Sequence, residues 1–543
     1  MMSLRKVPWL RYGIFFSFFL FSTLFGLQCA TRSLDPDFGW HLRIGQETEK
    51  RNTVLTTEEW NTPIIGEKWI DHEWLMNIGF YDIYEHFGYM GLAFISVLLL
   101  VLLFGIQQKL LLKKEHGTAA ILSLIFLQTF GLFGMSAHLG IRPILISLLL
   151  FLAFLEFLKR ATTGKKQLLF RILLPVLFLI WGNLHGSFLI GHVIIIGWII
   201  LFTLLSAFPS LRKFLERFFE IPAMPSARTQ ISMVFLFIAC VATPLINPYG
   251  IDLYHLLSEY WQNNYYLLHI SEWLPAWTWP ISLWKLSFGA FSFGVVFIWF
   301  VTAITSSSKK IPKLPLWETV LFLLFLLLSL THIRHFPLFF GTALPLLFSF
   351  CTVFFPTQFS RKKPFPKIFQ IGIPVSFLTF FLVFSATYAK NISFPEDPFV
   401  FPKFCKHYPC AATTFLKDSE YRDKVLLNPY AWGGYLLWMW PEKVIFTDGR
   451  QPQRSYEGHS LLEESNAFFD KEQIEKKLKK HSIEVVLLRK QKPASFSLFD
   501  RYFFGIDEQE VKTTENSLLD FLKNSKDWMQ KYEDETAVIF VKK

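Results

Sequence analysis

Residues 13–42 read GIFFSFFLFSTLFGLQCATRSLDPDFGWHL. The first half is an apolar run long enough, with its flanks, to cross a bilayer, which takes about 20 residues. The second half leaves that run through two aspartates, Asp35 and Asp37, on either side of Pro36. Proline fixes φ and removes a donor from the helical ladder, so the spacing predicts that the first span ends here with both carboxylates held near the interface. Two readings follow. The pair acts chemically, as a general base or a divalent-metal ligand, or Asp37 caps an amphipathic helix beginning FGWHLRIGQETEK at residue 38. Capping explains one aspartate well and two poorly.

The rest of the chain sets this stretch in a membrane protein. Of its 543 residues 52% are hydrophobic and 18% charged, against about 25% charged in soluble domains. Runs of span length recur at about eleven places: 11–30, 89–107, 118–137, 143–158, 167–184, 188–206, 229–247, 283–305, 315–331, 335–355 and 368–388. A basic start with no clean small-residue cleavage site reads as an uncleaved first span. The net charge of +11 is no nucleic-acid footprint. It lies in alternate short loops, as in Lys109, Lys113 and Lys114, KRATTGKK (159–166), LRKFLERF (211–218), SSSKKIPK (306–313) and SRKKPFPK (360–367). Positive charge in alternate loops marks them as cytoplasmic. The expected fold class is therefore an α-helical polytopic membrane protein with a C-terminal soluble α/β domain. Its expected domains are a transmembrane part, 1–389, with a long first outer loop, 31–88, and an extracytoplasmic part, 390–543. The N-terminus is expected to be cytoplasmic and the membrane to be the inner (plasma) membrane. Of the five cysteines, Cys405 and Cys410 can pair if their segment lies in an oxidising compartment. A zinc site there lacks ligands beyond His407.

On this map the unusual polar residues gather on the outer face, and ionisable groups near membrane depth mark functional sites by default. WIDHEWL (69–75) closes the first outer loop with Asp71, His72 and Glu73, and His41 follows the aspartate pair. An N-terminal acidic turn on the next helix is the plainer reading of Asp71 and Glu73. Later outer helix ends carry His138 and Arg142 (SAHLGIRP), Asn183 and His185 (GNLHGSF), and His332, Arg334 and His335 (LTHIRHFP). Arginine suits bidentate contact with a phosphate, and snorkelling is the alternative. The stretch 247–279, from Asn247 through Tyr249 to Trp279, has many aromatics and no Lys or Arg, as a mobile loop over a sugar or polyprenyl chain would, or an interfacial aromatic belt. No phosphate-cradling glycine loop, nucleophile elbow or HExxH occurs, which argues against an ATP-driven pump.

An acidic pair directly after the first span, inside a long outer loop with interfacial helices, resembles the GT-C superfamily of membrane glycosyltransferases. DHEWL resembles that group's second acidic motif near the start of the second span. The C-terminal VLLNPYAWGGYLLWMWPEKVIFTDGR (425–450) is similar to the WWDYG region of oligosaccharyltransferase catalytic subunits, with Gly433 or Gly434 where that motif has its aspartate. The stretch reads as strand, glycine turn, short helix and strand. IEVVLLR (483–489) and TAVIFVK (536–542) read as further strands, and 461–480 and 517–532 as helices.

The resemblance implies transfer of a sugar from a polyprenyl-phosphate-linked donor to a glycan, lipid or protein acceptor on the extracytoplasmic face. Asp35 or Asp37 would be the base, with Asp71, Glu73 and nearby histidines orienting it. Asp37, Asp71 and Glu73 would be the ligands of any divalent cation, Mg2+ or Mn2+. Substrate would be bound by His41, His72, His138, Arg142, Asn183, His185, Tyr249, His332, Arg334, His335, Trp432, Asp448 and Arg450. A buried Asp448–Arg450 ion pair is the structural alternative for the last two. The alternatives for the whole chain are a ligase or polymerase of lipid-linked polysaccharide, and a transporter or flippase of lipid-linked glycans.

Overall fold

The computed structural model describes residues 8–114, 116–163, 166–278, 283–304, 313–354, 367–490 and 517–543. The chain divides into two compact units. One comprises 1–32, 90–251 and 267–394, the other 33–89, 252–266 and 395–543.

The first unit is a bundle of apolar helices. Each apolar stretch counted in the sequence falls largely within a helix. Among the described residues eight helices are long and apolar enough to cross a membrane, and 285–301 and 316–331 form shorter apolar helices. The helix Pro8–Ala30 packs along Lys367–Ala389 through rings: Phe18 and Phe21 lie 5.7 and 5.4 Å from Phe381, and Phe25 lies 4.9 Å from Tyr388. Small residues let helices approach where no hydrophobic drive acts between them. A Cβ on Gly134 would sit 2.0 Å from the Phe340 ring, so that glycine makes room for the phenylalanine. Buried amides in the bundle are satisfied: Gln108 donates to Gln128 (2.7 Å), which donates to the Phe104 carbonyl (3.1 Å). Large apolar side chains such as Phe16, Leu98 and Phe293 point outward, as lipid-facing residues do.

The second unit is α/β. Its sheet has four strands in the order Leu426–Leu427, Val485–Arg489, Ala537–Lys542, Trp528–Glu533, the first pair parallel and the rest antiparallel. The helices Ile474–Lys480 and Ser517–Asn524 cover a core of Phe446, Phe468, Ile474, Leu478, Val486, Leu488, Leu518, Leu522 and Phe540. Three expectations are corrected here. VIFTDGR is not a sheet strand, because Ile445 exchanges backbone hydrogen bonds with Trp60 and Thr62 instead. The helix expected over 517–532 stops at Asn524, and Trp528–Glu533 is an edge strand. The helix expected over 461–480 is broken near Asp470, whose carboxylate accepts the backbone N–H of Glu472 and so competes with the helical ladder.

Cys405 and Cys410 form a disulfide, with Cα atoms 5.5 Å apart. The aromatic-rich stretch contributes the helix Asp252–Gln262 to this unit, where Asp252 pairs with Lys68 (2.5 Å) and Glu259 with Arg454 (3.2 Å).

Candidate functional site

The Asp35–Pro36–Asp37 turn is built from its own side chains. Asp35 Oδ1 accepts the N–H of Asp37 (2.9 Å), and the Asp35 carbonyl accepts that of Phe38 (3.2 Å), an Asx-type turn that leads into the helix Phe38–Arg51. Asp37 holds the N-cap position, yet its side chain makes no capping bond. Its Oδ1 accepts the indole N–H of Trp40 (2.9 Å) instead, so the capping reading is not what the fold uses. Both aspartates are half-buried.

Glycines explain how the C-terminal motif closes on this turn. A Cβ on Gly449 would stand 2.0 Å from Asp37 Oδ1, one on Gly434 2.3 Å from the Pro36 carbonyl, and one on Gly39 2.1 Å from the Gly434 carbonyl. Real Cβ contacts are not that short, so the DPDFGW segment meets the GG segment backbone to backbone and the DGR segment through the Asp37 carboxylate set against Gly449. A Cβ on Gly433 would lie 2.3 Å from the Thr447 carbonyl. The place where the WWDYG region carries its aspartate therefore has no room for a side chain in this chain.

Beside the turn, the DHEWL residues and His41 come together. Asp71 is buried. Its Oδ1 accepts the Glu73 N–H (3.0 Å), and its Oδ2 accepts Asn77 Nδ2 (2.7 Å). With its amide nitrogen on Asp71, Asn77 presents Oδ1 to His41 Nδ1 at 2.5 Å, so that nitrogen carries the proton and His41 Nε2 faces Glu73 Oε2 at 4.0 Å. His72 Nε2 lies 3.6 Å from Glu73 Oε1. Burial pushes the Asp71 carboxyl up to about 6, against the hydrogen bonds from Glu73 and Asn77 and the charge of Arg450.

A carboxyl raised in the folded state favours folding while it is protonated, and that advantage is lost as pH rises from about 4 to about 6. The difference amounts to about 3 kcal/mol. Asp71→Asn cannot ionise, so its apparent melting temperature should gain on the wild type across that window and hold a constant offset above it, as read by differential scanning fluorimetry. A constant offset throughout the window would contradict the raised value.

Among the described residues no group of three or more His, Cys, Asp or Glu is arranged to hold a metal. Asp71 spends both oxygens on nitrogen donors, and Asp37 Oδ1 is on Trp40. The donor set does not fit the expected Mg2+ or Mn2+ site, and no step is derived through one.

Arg450 lies in the interior of the same unit. It makes a bidentate pair with Asp448 (Nη2 to Oδ2 2.8 Å, Nε to Oδ1 2.9 Å) and reaches Glu58 Oε1 at 3.0 Å. Its guanidinium lies 5.3 and 5.1 Å from the Trp60 and Trp69 rings. Asp448 and Arg450 are thus a buried ion pair, the structural alternative to the expected role in substrate binding. Trp432 is likewise interior, with its indole N–H on the His407 carbonyl (2.9 Å).

In the first unit a second cluster forms. Arg142 donates to Glu272 Oε1, and Arg334 Nη1 lies 3.5 Å from Glu272 Oε2, so one carboxylate is shared by two guanidiniums. Arg334 also sits 5.0 Å from the Trp273 ring, whose backbone carbonyl meets His332 Nδ1 at 2.7 Å. His335 packs 6.2 Å from the same ring. His138 is buried among Arg142, Arg334 and Glu272, and among the described residues its Nδ1 has no hydrogen-bond partner. Burial alone would push the Glu272 carboxyl up, and the two arginines overrule it, bringing it down to about 2. Sequence reasoning singled out the two arginines and His138 and missed Glu272. The signal available was a stretch without Lys or Arg whose three acids, Asp252, Glu259 and Glu272, offer a counter-ion to the two outer arginines, although nothing in the spacing singles out Glu272.

Asn183, His185 and Tyr249 take part in helix-end turns. Asn183 Nδ2 bonds the Leu179 carbonyl (2.8 Å), His185 Nδ1 meets Ser187 Oγ (2.7 Å), and Asn247 Oδ1 accepts the Tyr249 N–H (2.7 Å).

With this geometry in hand, the chain can be set beside known proteins. It is similar to the crystal structure of the oligosaccharyltransferase of Archaeoglobus fulgidus in its apo form. The TM-score is 0.54 at 11% identity, over 88% of this chain and 69% of that one. At that identity the likeness is one of fold. No protein-family model and no curated protein sequence matches the chain.

Proposed function

We propose that the chain is an integral membrane glycosyltransferase that moves a sugar from a polyprenyl-phosphate-linked donor to an acceptor on the extracytoplasmic face. The observation that carries this reading is the Asp35–Pro36–Asp37 turn: two half-buried carboxylates set on an oligosaccharyltransferase-like fold, one of them fixed by Trp40 and Gly449. Asp37 takes the proton of the acceptor nucleophile. The acceptor atom forms a bond to the anomeric carbon as the bond from that carbon to the phosphate oxygen breaks, and the electron pair leaves with the polyprenyl phosphate. Inversion at the sugar is what the GT-C likeness implies. Arg142 and Arg334 hold the departing phosphate by charge. Catalysis by placement and preset charge suits such a leaving group. The Cys405–Cys410 disulfide supports an oxidising, extracytoplasmic side for 395–543.

Proteoliposomes containing the protein and a lipid-linked labelled sugar test the reading, with acceptor offered on one side at a time. Label should move only when acceptor shares the side of Cys405–Cys410. Transfer on the opposite side would overturn the sidedness.

Gly449→Ala probes the carboxylate's seat. The new methyl collides with the end of one side chain, so Asp37 should swing aside at a stability cost of about 1–3 kcal/mol, with turnover falling roughly tenfold or more from a misplacement of this order. Gly39→Ala meets backbone instead and should lower the folded yield as well. Paired assays of turnover and melting separate the two effects, and an unchanged turnover in Gly449→Ala would argue against Asp37 as the base.

A further inference from the structure

The carboxylate of Glu272 lies where an anionic ligand of Arg142 and Arg334 would lie. Two guanidiniums from distant parts of the sequence face its two oxygens, one on each. Each arginine approaches through Nη1, and two guanidinium charges converging on one anion are an arrangement that also suits a phosphate. The buried His138 stands among the same three groups with Nδ1 unpartnered among the described residues, one more polar atom ready for an oxyanion. The turn that carries Glu272 is short, Ser271–Trp273, and it meets the opposite helix end through the Ile333 N–H on the Leu274 carbonyl (3.3 Å) and His332 Nδ1 at the Trp273 carbonyl (2.7 Å). We infer that Glu272 is a resident counter-anion of a phosphate site, displaced when a polyprenyl phosphate group binds Arg142 and Arg334 and returning to expel it.

This inference rests on the reading that the two arginines hold the donor phosphate, and adds how that site is kept empty and reset. A carboxylate carries one negative charge, as does the phosphodiester of a lipid-linked sugar, whereas the released phosphomonoester carries nearly two. The product therefore competes for the arginines better than the donor does. A tethered carboxylate at high local concentration offsets that advantage and shortens product residence.

The test measures binding of farnesyl phosphate, a short polyprenyl phosphate, to the full-length protein in detergent. Glu272→Gln should bind it roughly tenfold tighter than wild type, the equivalent of freeing one partly exposed ion pair. Arg142→Gln and Arg334→Gln should each bind it more weakly by a similar factor. If the arginine variants bind like wild type, the phosphate reading itself fails and the inference falls with it. If they weaken binding while Glu272→Gln leaves it unchanged or weaker, the phosphate reading stands and the counter-anion role is overturned. Should Glu272→Gln fail to fold, hydrogen exchange in the unaltered protein decides. Farnesyl phosphate should speed exchange at the Trp273 and Ile333 amides as Glu272 leaves, and slowed or unchanged exchange there would overturn the inference.

Discussion

Asp37→Asn should lose about 10²–10⁴-fold in turnover, the usual contribution of a positioned general base, while melting close to the wild type. The expectation rests on what the substitution keeps. An asparagine oxygen still accepts the Trp40 indole N–H and still fits over Gly449, so the turn and its contacts persist and only the proton acceptor is removed. Asp35→Asn is the matched control. Asp35 Oδ1 holds the turn through the Asp37 N–H, and an amide oxygen does the same. Its loss should therefore be much smaller, about tenfold or less. Equal losses in the two variants would make the carboxylates a shared unit, and a large loss in Asp35→Asn alone would exchange their roles. Steady-state rates with saturating donor, alongside melting curves, distinguish these cases.

The largest effect on stability is expected at Arg450. Asp448 and Glu58 are both buried, and Arg450 is the cation that neutralises them. Removing one member of a buried ionic group costs about 3–5 kcal/mol, because the remaining charge is left without compensation. Arg450→Met keeps much of the packing against Trp60 and Trp69 and isolates the charge term. The variant should show a markedly lowered melting temperature or poor recovery from detergent extracts. Arg450→Lys, with a cation but no fork, should fall between the two. A melting temperature for Arg450→Met within about 1 °C of wild type would mean that the pair is near break-even, as buried pairs replaced by apolar groups can be.

Local physics carried much of the fold into the sequence. Spans are legible because a bilayer demands a long apolar run whatever the neighbours do. The helix Phe38–Arg51 was legible from its amphipathic pattern and the proline before it. The gathering of His41, Asp71, His72 and Glu73 was legible from chemistry concentrated in one long loop, although Asn77, which orders it, reads like any polar helix residue.

What escaped depends on partners far along the chain. Glu58 and Arg450 are 392 residues apart, and Arg142 and Glu272 are 130 apart. No spacing rule links them. VIFTDGR alternates like a strand, but its hydrogen bonds go to Trp60 and Thr62 rather than to a sheet. The break near Asp470 and the stop at Asn524 were lost inside stretches with good helical composition, where one competing side chain or one change of partner decides the outcome. The glycines at 433 and 434 departed from the WWDYG pattern, and only the close backbones around them give the reason.

The central claim is sugar transfer from a polyprenyl phosphate. The most direct test follows release of polyprenyl phosphate by mass spectrometry, using the full-length protein in nanodiscs with a panel of polyprenyl-phosphate sugars and candidate acceptors, beside Asp37→Asn. The account predicts that at least one donor releases its lipid phosphate with wild type and that Asp37→Asn nearly abolishes that release. Release that survives Asp37→Asn at the wild-type rate would contradict the account.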